Sequence, residues 1–242
     1  MLFLPEEHIE ILTHNFSNDT EMIKMLDNNF TSQAIKDSNV SFTIKILGYT
    51  DFVFVNTQAD TIEIVIKNDN NEIIFQENQI LKDIQAGSCE ELFEVTPVWL
   101  DTGYIKTCDR YTGEATITLT PRDGYVKIGK FSYGTPVAIG AVSANITYEY
   151  QDYLKLSEDE SDYESIDRFE ILSGTFWVEK HFTRFAKIKL QKVIKQKMIW
   201  IDPFNDKLFI YGMLENYKIR IEEEEEKMNL LTPIDISIRG IA

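Results

Sequence analysis

Cysteine, histidine, proline and glycine are all scarce in this chain of 242 residues. The two cysteines, Cys89 and Cys108, are too few for a disulfide framework or a four-ligand zinc site. They are expected as free thiols of a protein made in a cytoplasm. The three histidines, His8, His14 and His181, form no HExxH pattern, so a zinc site would have to gather all of them from distant segments. No serine lies in GxSxG, which excludes a nucleophile elbow. Gly129 and Gly134 flank Lys130-Phe131-Ser132-Tyr133, but no helical pattern follows to receive a phosphate. Lys and Arg number 24 against 40 Asp and Glu, a net charge of −16. That balance argues against coating nucleic acid, which requires cations to displace counterions, and against lying on an anionic membrane. No run approaches the roughly 18 apolar residues of a membrane span, and the opening MLFLPEEHIEIL lacks the basic leader of a signal peptide.

Acids are abundant, and for that reason no catalytic pair stands out; a glycosidase needs two at a defined separation. Glu158, Asp159, Glu160, Asp162 and Glu164 lack the spacing and central glycine of a calcium loop and read as a solvated connection. The sequence therefore points to a protein without catalytic residues, metal or cofactor.

Alternation of apolar and polar residues dominates what remains. After a mixed opening with a short helical stretch near Glu21 to Leu26, Val40 to Leu47 alternates as a half-buried strand does. The pattern recurs in 51–56, 61–68, 71–76, 103–108, 114–120 and 125–131, separated by turn-rich pieces such as Lys67 to Asn71. Pro121-Arg122-Asp123-Gly124 and Gly134-Thr135-Pro136 break the chain, which gives an N-terminal domain of 1–128 and a C-terminal domain of 129–242. Longer strands follow over 137–154, 169–182, 198–203, 207–221 and 233–241. Between Arg184 and Lys197, Ala186, Ile188 and Leu190 alternate, while Leu190, Val193 and Ile194 share a helical face; a strand running into a short helix satisfies both. The expected fold is mainly β: two antiparallel β-sandwich domains with one short helix in the second.

Charge is unevenly placed. Lys180, Arg184, Lys187, Lys189, Lys192, Lys195 and Lys197 stand with no acid before Trp200, and Glu222, Glu223, Glu224, Glu225 and Glu226 follow as a block. Both read as solvated faces or, in an acidic chain, as a candidate assembly surface on which copies meet head to tail and close into a ring.

Two resemblances add to this. Tyr125 to Phe131 with Gly134-Thr135-Pro136, Ile166 to Phe169 with Gly174 to Lys180, Met198 to Ile201, Leu208 to Gly212 with Tyr217 to Ile221, and Ile236 to Gly240 resemble, in that order, phage tail proteins of tail-tip, baseplate or tube type. That resemblance implies a structural component of a virion tail, synthesised in the host cytoplasm, partnered by itself and by neighbouring tail proteins, with no specific nucleic-acid binding and no membrane insertion. Met25 to Ser32 resembles the loop before the first long strand of a discoidin-like (galactose-binding-like) jelly roll, with Val40 to Leu47 as that strand and Glu114 to Gly129 as the closing pair; Gln33 and Ala34 stand where that family has a tryptophan. This second resemblance implies the alternative role of a carbohydrate-binding module contacting a host glycan. Sugar stacking needs exposed rings, for which Tyr49, Phe30 and Trp99 are the candidates.

Overall fold

The structure, a computed structural model, describes residues 2–4, 9–27, 32–83, 98–107, 109–156, 163–201, 209–220 and 230–240. The chain forms two compact units, Glu6–Pro136 and Met1–Pro5 with Val137–Ala242. It is mainly β, its sheets are antiparallel, and a single helix exceeds six residues among those described.

The first strand, β1 (Leu2–Leu4), belongs to the C-terminal unit. The N-terminal unit comprises β2 (Ile11–His14), α1 (Asp19–Lys24), β3 (Ala34–Lys36), β4 (Val40–Tyr49), β5 (Asp51–Gln58), β6 (Thr61–Lys67), β7 (Ile73–Ile80), β8 (Lys82–Asp83), β9 (Val98–Trp99), β10 (Gly103–Ile105), β11 (Arg110–Thr120) and β12 (Val126–Gly134). One sheet runs β2-β4-β11-β6-β7 and another β10-β5-β12-β3, with β8 and β9 paired apart. Alternation decides which side chains enter the core. Val40, Phe42, Ile44 and Ile46 of β4, Ile62, Ile64 and Ile66 of β6, and Ala115, Ile117 and Leu119 of β11 are all buried. They share one core with Phe52 and Phe54 of β5 and Phe131 and Tyr133 of β12, which makes the two sheets a sandwich. Phe131 sits 4.9 Å from Phe42, edge to face across the sheets, and 5.0 Å from Phe54 beside it.

The period of two breaks within β12. Val126 and Ile128 are buried, but the next core rings are Phe131 and Tyr133. Asn56 of β5, at φ 52°, opposes Gly129 at this irregularity. A Cβ on Gly129 would lie 2.8 Å from that of Asn56, so the close approach needs glycine. The phase slip brings Phe131 and Tyr133 to the core and leaves Lys130 on the other face of the sheet, buried there with its ammonium donating to the Leu26 carbonyl at 3.0 Å. The expected boundary at 128/129 falls inside this strand, whose pairing with β5 runs on to Gly134.

The C-terminal unit adds β13 (Val137–Ala138), β14 (Ala141–Leu156), β15 (Tyr163–Glu179), a 3-10 turn over Lys180–Phe182, α2 (Thr183–Val193), β16 (Lys197–Ile201), β17 (Phe209–Ile219) and β18 (Leu231–Gly240). These strands and β1 form one seven-stranded sheet in the order β13-β1-β16-β17-β18-β15-β14. Leu172, Phe176 and Val178 of β15 and Ile234, Ile236 and Ile238 of β18 form a core with Ala186, Leu190 and Val193 of α2, so the helix is the second layer of this unit. The segment from Arg184 to Lys197 corrects the sequence expectation: helix comes first and strand second. The spacing 186, 190, 193 places three residues on one helical face and outweighs the alternation of Ala186, Ile188 and Leu190, whose middle member is exposed. The helix ends at Ile194, and Lys195 at φ 62° turns the chain into β16.

Candidate functional site

One end of the N-terminal sandwich gathers four segments around an exposed tryptophan. Leu100 donates its backbone N–H to the Leu81 carbonyl at 3.2 Å, Leu81 to that of Asp60 at 2.9 Å, Asp60 to that of Thr120 at 2.9 Å, and Thr57 to that of Asp101 at 2.6 Å. Side chains reinforce the frame: the Thr61 and Thr120 hydroxyls lie 2.6 Å apart, and the Tyr125 hydroxyl donates to the Gln58 side-chain carbonyl at 3.0 Å. The tight turn after β11, with Asp123 at φ 58° and Gly124 at φ 89°, carries Arg122.

Trp99 stands on β9, opposite Lys82 of β8. Its side chain remains 39% exposed. The Lys82 ammonium is 5.2 Å and the Arg122 guanidinium 5.0 Å from its ring centroid, both within cation–π range. Arg122 is held close, only 18% exposed, with Nε buried and unpartnered in hydrogen bonding and 3.5 Å from the Asp123 carboxylate. A partly exposed indole with cationic N–H donors over its ring combines an apolar platform with directional polar groups. That is the chemistry that holds a polyhydroxylated ring: C–H groups on the indole, hydroxyls on the donors. The other tryptophans offer no such surface. Trp200 is buried, with its indole N–H donating to the Gly212 carbonyl at 3.2 Å. Trp177 is half-buried on the sheet face away from the core, and its neighbours Phe176 and Val178 take the inward positions.

Elsewhere in this unit the buried Asp51 carboxylate accepts from the Tyr104 hydroxyl and from the Thr107 backbone N–H. Burial pushes its pKa up despite those bonds. It pins β5 to β10 and to the chain after it.

The C-terminal unit carries two polar features. On the sheet face away from α2 lies a shallow trough of about 360 Å³ lined by Asn145, Thr147, Ser173, Thr175, Asn216 and Asp235. Asp235 accepts from Arg220 Nη2 and from the Thr175 hydroxyl, each at 2.7 Å. The Arg220 bond holds its carboxyl below the usual range. The charges of the trough are thus spent on each other, as on any water-facing sheet. The second feature is the basic segment. Arg184, Lys187, Lys189 and Lys192 project from α2, with Lys180 in the turn before it and Lys195 and Lys197 after it. All are exposed except Lys189, which donates to the Ala138 carbonyl at 3.1 Å and lies 3.9 Å over the Phe185 ring. Burial lowers its pKa.

No family model matches the chain, and no curated protein matches it. Among solved structures, it is similar to a histidine mutant of the lectin binding domain of Lectinolysin complexed with Lewis b, at 7% identity over 54% of this chain and 99% of that one, with a TM-score of 0.35. It is also similar to a Streptococcus pneumoniae fucose binding module, SpX-3, at 12% identity over 55% and 95%, TM-score 0.33. A third is CBM32-1 from a family 31 glycoside hydrolase of Clostridium perfringens, at 13% identity over 53% and 94%, TM-score 0.33. Likenesses with TM-scores this low carry neither fold nor function over to this chain, and they lend no support to the tail-protein resemblance.

Of the residues singled out in the sequence, Trp99 lies in a framed site and the seven cations share one segment. Cys89, Cys108, His8, Phe30, the acidic stretch 158–162 and Glu222 to Glu226 lie outside the described residues. His14 and His181 sit beside carboxylates, Asp19 at 2.9 Å and Glu179 at 3.2 Å. Among the described residues no three metal-ligating side chains come together. Sequence reasoning missed Lys82 and Arg122 as partners of Trp99. Lys82 is placed by the β8–β9 pairing and Arg122 by a turn 23 positions on in the chain, and neither leaves a local signal.

Proposed function

We propose that this chain is a non-catalytic carbohydrate-binding protein whose N-terminal sandwich holds a sugar against Trp99. The observation that carries the reading is the exposed indole framed by Lys82 and Arg122 at the loop end of a rigid β-sandwich. Three hydrogen-bonded segments fix the ring before any ligand arrives, so little ordering entropy opposes binding. The test is a glycan array followed by calorimetric titration of the retained sugars. Replacing an anchoring tryptophan costs about 2 kcal/mol or more, so Trp99→Ala is expected to weaken affinity by roughly thirtyfold. Arg122→Ala is expected to weaken it less and to shift preference among sugars that differ in one hydroxyl. Absence of binding to any glycan at millimolar sugar, or equal binding by Trp99→Ala, would sink this reading.

A structural role in a phage tail or baseplate is the second reading, and the observation that favours it is the sheet edge. β14, sixteen residues long, pairs on one side only among the described strands. Such an edge invites a strand from a neighbour. Closed rings of fixed copy number in negative-stain images would support it; a strict monomer in the presence of the virion's other tail proteins would refute it.

A further inference from the structure

We infer that the outer face of α2 is a self-association surface that docks on an acidic surface of a second copy of this chain. Three apolar side chains there and in the turn before it are strongly exposed: Phe182 at 45%, Phe185 at 48% and Ile188 at 45%. They cannot be relieved by the unit's own core, because the opposite face of the helix, Ala186, Leu190 and Val193, already fills it. The Lys189 ammonium, tethered to the Ala138 carbonyl, lies over one face of Phe185 and leaves the rest of the ring to solvent.

Around these rings stand Arg184, Lys187, Lys192 and Lys195, all exposed and none with an ion-pair partner among the described residues. Aromatic anchors interleaved with Arg and Lys are the composition of a protein interface, in which the rings are desolvated and the charges fix the register.

Charge complementarity selects the occupant. The segment from Lys180 to Trp200 holds seven of the chain's 24 cations and no acid; the remaining 17 face 40 acids, a balance of −23 for the rest of the chain. Every further copy therefore brings an excess of carboxylates to this patch. A bilayer or a nucleic acid is an extended polyanion, and it would meet that acidic remainder as well as the patch. At about 0.1 M salt, charges more than about 10 Å apart are screened, so the local match outweighs repulsion between whole molecules. The inference is independent of the sugar-binding reading, because it shares no residue with the surroundings of Trp99.

The experiment is sedimentation velocity on the full chain over a hundredfold concentration range at about 0.1 M and about 0.5 M salt, for the wild type, Lys187→Glu/Lys192→Glu and Phe185→Ser/Ile188→Ser. The wild type is expected to associate with rising concentration at the lower salt and to lose most of that association at the higher. Each double variant is expected to raise the dissociation constant about tenfold or more, with its melting temperature unchanged. Either of two results overturns the proposal: a wild type that stays monomeric throughout, or variants that associate as the wild type does. The salt series needs no variant, so a misfolded substitution leaves the question decidable. If the monomer instead sediments with phosphatidylserine vesicles, the occupant is a membrane and the second-copy assignment fails.

Discussion

Phe131 offers the sharpest test of the N-terminal core. Its ring is fully buried and touches both sheets, meeting Phe42 edge to face at 4.9 Å across the sandwich, Phe54 at 5.0 Å and Tyr133 at 6.2 Å along its own sheet. Truncation to alanine removes the buried ring's transfer free energy, leaves a cavity, and deletes two close aromatic contacts worth about 0.5–1.5 kcal/mol each beyond area. Buried Phe→Ala changes cost about 3–5 kcal/mol, and the site is at the high end because its neighbours are on opposite sheets and cannot both collapse inward. Against a domain stability of about 5–15 kcal/mol, that is a large share. Hydrogen exchange read by mass spectrometry separates the units, since peptides over β4, β6 and β11 report only on the N-terminal sandwich. Their slowest amides are expected to exchange about a hundred to a few thousand times faster in Phe131→Ala. Phe131→Leu also loses both ring contacts but refills most of the cavity, and is expected to cost less than the alanine change. A loss below about 1 kcal/mol in the alanine variant would mean that the two sheets do not share this core, and the sandwich description would fail.

Gly113 lies at φ 148° within β11, and a Cβ there would come 1.9 Å from the Lys67 carbonyl oxygen; Gly113→Ala is expected to cost about 2 kcal/mol or more, read as a lower urea midpoint with the same peptides. Trp200→Phe removes the buried donor to the Gly212 carbonyl and is expected to cost about 1–3 kcal/mol in the C-terminal unit, measured by exchange over β16 and β17. Two carboxylates are expected to respond to pH with opposite sign. Asp235 has its pKa lowered from 3.8, so its contribution is present above that value and fades as pH falls below it through the lowered one. The stability gap between wild type and Asp235→Asn should therefore shrink on acidification. Asp51 has its pKa raised from 3.8, so its contribution is full below that value and is lost as pH rises through the elevated one. Relative to wild type, Asp51→Asn should gain as pH increases. Urea unfolding across pH 3 to 7 checks both, and parallel trends would contradict the assigned shifts.

Strands with one wet face were legible because alternation is written locally: Val40 to Leu47, Thr61 to Lys67 and Glu114 to Thr120 fall within observed strands of the N-terminal sandwich. Three kinds of feature were not. Phase slips at Asn56 and Gly129 depend on two strands meeting, so Phe131 and Tyr133 could not be assigned to the core from alternation alone. In 184–197 two periodicities overlap, and only the sheet beneath decides between them. Long-range partners leave no trace at all: nothing in Leu2 to Leu4 announces pairing with Ile199 to Ile201. The candidate site divides the same way. Trp99 was a named ring because sugar stacking calls for aromatics, whereas its partners Lys82 and Arg122 were two ordinary cations among 24.

The position of β1 changes how the molecule must be assembled and how it can be cut. β1 lies between β13 and β16 in the seven-stranded sheet, with Leu2 opposite Ala138 on one side and Ile201 on the other. The sandwich of Glu6–Pro136 is thus an insertion in the chain of the C-terminal unit, not a preceding bead. A fragment begun at 129 or 137 would lack an interior strand and expose the flank of β16, so it should aggregate where the intact chain does not. During synthesis, β1 emerges before the sandwich and waits until residue 197 and beyond have appeared before its second neighbour exists. Folding the inserted sandwich brings the two sides of the interruption together, which lowers the loop-closure cost of that late pairing. Because β1 and β13 are already side by side, the insertion could in turn be exchanged for a short turn, leaving a seven-stranded sheet that closes on its own.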